Sequence, residues 1–83
     1  MTYEKFEEIF EITEPEWECD NAYKGLQIIS KYTSNLIQGA EHDKIYSEDI
    51  EVLIEKGITE EDVFKLRKLN WMIEDEQYLA CFV

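Results

Sequence analysis

Glu41-His42-Asp43 is the run that comes closest to metal or acid–base chemistry, since carboxylates and imidazole are common ligands and proton carriers. The segment around it reads as a strand, and neighbours in a strand point to opposite faces. Glu41 and Asp43 then share one face and His42 takes the other. The three converge on a cation only if Glu48 or Glu51 folds in to complete the set. A hydrogen-bonded polar histidine near a helix start is the expectation, with no metal and no cofactor. Catalytic signatures are missing too: the chain holds one histidine and no G-x-S-x-G, glycine-rich phosphate loop or HExxH. Three glycines leave little scope for a phosphate cradle. The carboxylates are plentiful, but abundance is not pairing. The chain reads as a non-enzyme with no catalytic residues.

Those carboxylates are the dominant chemistry. Twenty acidic side chains stand against eight basic ones in 83 residues, a formal charge of −12. Such a surface repels nucleic-acid backbones and anionic membranes, and leaves basic proteins as natural partners. The charge is uneven. Residues 1–20 carry eight acids and one lysine, and residues 41–62 carry nine acids and two lysines. Between 63 and 73 the sign inverts, with Lys65, Arg67 and Lys68 unopposed. Glu4, Glu7, Glu8 and Glu11 fall at i, i+3, i+4, i+7, which is one face of a helix. Phe6, Ile9 and Phe10 take the opposite side. Glu48, Asp49, Glu51 and Glu55 form a second candidate row. Tyr3, Trp17 and Tyr46 lie beside the rows as candidate aromatic anchors, with core packing as their plainer role.

A chain of this length makes one domain, and 45% apolar with 13% aromatic residues gives it a real core despite the charge. No apolar run approaches the length of a membrane span. The N-terminal residues lack the basic and apolar regions of a signal peptide, so a cytoplasmic protein is expected. Cys19 and Cys81 follow no CxxC pattern and read as free thiols, with Cys81 in the core.

The elements that must position the acids follow from caps and periodicity. Thr2 caps a first helix that ends near Thr13, because the residue before Pro15 is pushed out of the helical region. A second helix starts either at Pro15, with Glu16 and Glu18 in its first turn, or at Asp20 as N-cap. Either way Ala22, Leu26, Ile29 and Tyr32 form its buried stripe. Residues 40–46 read as a short strand. Ser47 is expected to cap a helix over 48–56, with Ile50, Leu53 and Ile54 inward and Gly57 stopping it in the left-handed conformation. Thr59 caps the next helix, with Val63, Leu66 and either Leu69 or Asn70 inward. Residues 71–83 hold two β-prone runs around Glu74-Asp75-Glu76-Gln77, which is a hairpin. The sum is a single α+β domain over 1–83. It has N-terminal helices in 1–34, a strand at 40–46, a helix pair in 47–70 and a C-terminal hairpin, giving three to four helices and a short antiparallel sheet.

That element order resembles a winged-helix domain, with 47–70 in the place of the helix-turn-helix and 71–83 in the place of the wing. The resemblance is topological and carries no motif of its own. In wording the chain resembles small acidic proteins of tailed phages and prophages, generally of uncharacterised function. The matching phrases are Tyr23-Lys24-Gly25-Leu26, Ala40-Glu41-His42-Asp43, Gly57-Ile58-Thr59-Glu60-Glu61-Asp62-Val63, and the ending from Leu69-Asn70-Trp71 to Cys81-Phe82-Val83. This likeness implies a phage-related protein in a bacterial cytosol, and it brings no functional residues with it.

The resulting expectation is a non-enzymatic, acidic protein-binding module. Its partner is a basic host or phage protein, such as a defence nuclease or polymerase whose nucleic-acid groove the DNA-like negative surface would occupy. The alternative is a small winged-helix transcriptional regulator that binds DNA, as a dimer, through Lys65, Arg67 and Lys68. Its would-be recognition helix begins Glu60-Glu61-Asp62, which opposes phosphate contact. A third reading is self-assembly, as a homodimer or larger structure, through the apolar strand at 79–83.

Overall fold

The computed structural model describes residues 1–16 and 19–83. Along the chain come helices α1 (Tyr3–Ile12) and α2 (Asn21–Ile29), strands β1 (Gly39–Glu41) and β2 (Lys44–Asp49), helices α3 (Ile50–Glu55) and α4 (Glu60–Lys68), and strands β3 (Met72–Glu74) and β4 (Tyr78–Phe82). The described residues form an α+β fold of four helices and one four-stranded antiparallel sheet, ordered β1-β2-β4-β3. No described helix is long and apolar enough to cross a membrane.

Helix α1 starts as its sequence dictates. The Thr2 hydroxyl accepts from the Lys5 amide at 3.2 Å, and Phe6, Ile9 and Phe10 are buried. It stops at Thr13, whose backbone is extended ahead of Pro15. Pro15 and Glu16 do not open a helix. Instead the Glu16 amide donates to the Lys68 carbonyl at 2.9 Å, which ties this segment to the end of α4. The expected role of Glu18 in a first turn, and of Trp17 as an anchor, lies outside the described residues. Asp20 does precede α2, but in the left-handed conformation and without a side-chain cap bond.

What holds α2 in place is Trp71. Its indole N–H donates to the Asn21 carbonyl at 3.1 Å, while the Asn21 amide group donates to the Leu69 carbonyl at 3.0 Å. A Cβ at Gly25 would sit 2.0 Å from the Trp71 indole nitrogen, so only glycine lets the ring lie against the helix. Trp71 is fully buried there, in one core with Phe6, Ile29, Leu53, Leu66, Leu79 and Cys81.

Two expectations are corrected between residues 39 and 50. The single strand at 40–46 is a hairpin, β1 and β2, with His42-Asp43 in its turn. Ser47 does not cap a helix. The chain stays extended to Asp49 because β2 pairs with β4, from Lys44 opposite Phe82 to Asp49 opposite Tyr78. Between Tyr46 and Asp49 the register shifts, since β2 uses one more residue than β4. That bulge breaks the alternation of the strand, and Ser47 and Glu48 are both buried. Helix α3 then begins at Ile50 behind Asp49, which makes no side-chain cap bond.

The remaining ends follow the sequence closely. Gly57 sits at φ +88°, and the amides of Gly57 and Ile58 close back on Ile54 and Leu53 at 3.0 Å each. Thr59 caps α4 by accepting from the Asp62 amide at 3.1 Å. Asn70, at φ 64°, closes α4 in the same way as Gly57 closes α3, with Trp71 bonded to Leu66. The β3–β4 hairpin turns through Asp75 and Glu76, both at positive φ (54° and 52°).

Candidate protein-binding surface

The α1 row is exposed as expected at Glu4, Glu8 and Glu11, while Glu7 is half-buried and turned toward the hairpin. Within the row Lys5 pairs with Glu8 at 3.3 Å on the open surface. Such an exposed pair neutralises little.

Glu7 has company from two other elements. The Tyr3 hydroxyl is buried and has no hydrogen-bond partner among the described residues. Burial pushes its pKa up, and so do the carboxylates of Glu7 on α1, Glu76 at the hairpin tip and Glu51 on α3. Three separate elements therefore bring negative charge to one place. Beside it runs a groove of about 490 Å³, with Glu7, Phe10 and Glu11 of α1 on one side and Met72, Ile73, Asp75 and Glu76 of the hairpin on the other. Asp75 and Glu76 were not among the expected binding residues. Their acidity is plain in the sequence, but their position opposite α1 is set by tertiary packing.

The second expected row does not form. Glu48 is only 5% exposed, and both its oxygens are taken inside the protein. One accepts from Gln38 Nε2 and the Asp49 amide at 2.9 Å, the other from Thr33 Oγ1 at 2.8 Å. A carboxylate satisfied in this way is a structural acceptor rather than a surface charge. Asp49 accepts from Gln77 Nε2 at 3.3 Å at the end of β2. Glu51 and Glu55 remain exposed on α3. Of the anchors, Tyr46 packs edge-on against Tyr78, with ring centres 5.5 Å apart.

No family model, curated protein or solved structure matches this chain. The winged-helix and phage-protein likenesses thus rest on element order and on short sequence phrases, and the surface has to be read from its own chemistry.

That chemistry is electrostatic. Among the described residues no group of three His, Cys, Asp or Glu side chains is placed to hold a metal ion. His42 is exposed in the β1–β2 turn, next to Glu41 at the end of β1 and Asp43 in the turn, not near a helix start. The basic strip is largely engaged. Lys65 pairs with Glu61 at 3.1 Å, Lys68 with Glu16 at 2.9 Å, and Arg67 donates to the Trp71 carbonyl at 2.9 Å. On the same helix Asp62 is buried, where Lys31 reaches it at 2.7 Å and the Tyr32 hydroxyl also donates to it. Burial alone would raise the Asp62 pKa, but these two donors outweigh it and hold the carboxyl below its usual range.

Proposed function

We propose that this protein is a non-enzymatic binding module that docks a basic protein through the acidic side built by α1, α3 and the hairpin tip. The observation that carries the reading is the groove in which Glu7 and Glu11 of α1 face Asp75 and Glu76 of the hairpin tip, on the helix that also exposes Glu4 and Glu8. Carboxylates fixed on a folded scaffold attract a cationic groove over a distance set by ionic strength, and give fast, salt-sensitive association. A groove built for phosphates is a partner of this kind. The phage-like wording favours a host or phage nucleic-acid-binding or defence protein in the bacterial cytosol, inhibited because its groove is filled. Regulation through direct DNA binding has less support, because Glu60 and Glu61 stand exposed at the start of the helix that carries the strip and Arg67 is folded inward onto the Trp71 carbonyl. The test is charge reversal: Glu4→Lys, Glu7→Lys and Glu11→Lys together should abolish partner binding while the far-UV dichroism stays that of the folded protein. Binding that persists in the reversed protein would remove this face from consideration.

A further inference from the structure

We infer that the groove between α1 and the outer edge of β3 receives an extended, lysine- or arginine-bearing segment of the basic partner, an inference that rests on the acidic-surface reading above. Strand β3 ends the sheet order, so among the described residues no strand lies on its outer side. Met72 and Ile73 are neighbours on it and point to opposite faces, yet both line the groove. A groove that touches both runs along the strand edge itself. An open edge presents backbone donors and acceptors to an added strand.

Charge decides what that strand is. Glu7 and Glu11 stand on the helix side and Asp75 and Glu76 at the tip, with Arg67 as the one basic residue lining the groove. Arg67 is held down against the floor. It donates to the Trp71 carbonyl at 2.9 Å, and its guanidinium carbon lies 5.7 Å from the centre of the Phe10 ring. The groove keeps a net negative charge over an apolar floor. An alternating basic segment fits both features, its methylene stems on Phe10, Met72 and Ile73 and its charged ends at the carboxylates. An acidic segment is repelled.

The probe is a short peptide that alternates valine with lysine or arginine, titrated at low salt into the full ¹⁵N-labelled chain. Saturable amide shifts are expected at Met72, Ile73, Asp75 and Glu76. Methylating alternate backbone nitrogens of the peptide should abolish them, as should replacing its basic residues by glutamate. Combining Glu11→Gln with Glu76→Gln should weaken the peptide about tenfold, whereas Glu55→Gln should change it less than about twofold. Non-saturating shifts spread over Glu4, Glu8 and Glu60, equal in the double variant, would overturn the groove while leaving the acidic surface standing. A silent peptide alongside reversal-sensitive partner capture would do the same. A silent peptide with no partner capture at all would overturn both.

Discussion

Gly25 has no room for a methyl group, because the Trp71 ring occupies the space where it would go. Gly25→Ala should therefore cost about 3 kcal/mol or more in urea unfolding, the upper part of the usual range for overpacking. Asp62 gives a second test through pH. A carboxyl whose folded pKa lies below its unfolded value contributes stability above the unfolded value, about 3.9 for aspartate, and loses it as pH falls through the folded value. Asp62 is held low by Lys31 and Tyr32 against the opposing effect of burial. The stability gap between wild type and Asp62→Asn should be widest near neutral pH and should close below about pH 4. An equal gap at both ends would mean that the ionised form does not matter. The thiols separate as well. Burial pushes Cys81 up to about 11, whereas Cys19 is exposed, so a thiol reagent should label Cys19 quickly and Cys81 only on unfolding.

At the scale of elements, the β3–β4 turn stands out. A turn whose two central residues both need positive φ favours Asn-Gly at those positions. Asp75 and Glu76 occupy those positions instead, at the mouth of the acidic groove. Glu76→Gly should stabilise the fold by about 1 kcal/mol in thermal or urea unfolding while removing a groove charge. How far the elements were legible depended on whether the signal was local. Thr2, Gly57 and Thr59 are recognisable because a cap acts within one turn of its own helix, and each is where its sequence places it. The stretch 47–49 departs from its local signal for the opposite reason. Ser47 followed by Glu48 and Asp49 is a good local helix start, but pairing of β2 with β4 overrides it and carries the strand to Asp49. The His42-Asp43 turn was hidden in the same way, since no glycine or asparagine marks it. The candidate surface divides along that line: the α1 row follows from helical spacing, whereas the burial of Glu48 and the approach of Glu76 depend on residues far away in sequence.

For the whole molecule, a charge of −12 on 83 residues works in two directions. Mutual repulsion opposes the folded state, and added salt screens it. The midpoint of thermal unfolding should rise between low salt and about 0.3 M sodium chloride, while association with a basic partner weakens over the same range. A fold stabilised by salt and a complex dissolved by it are the joint signature of an acidic face held together at some cost for the sake of binding. The most direct measurement is retention of proteins from a bacterial lysate on the tagged chain, washed with rising salt, beside the Glu4→Lys, Glu7→Lys, Glu11→Lys bait. A basic nucleic-acid-binding protein held by the native bait, released by salt and absent from the reversed bait is the predicted result. Equal retention on both baits, or nucleic acid retained without such a protein, would contradict the account.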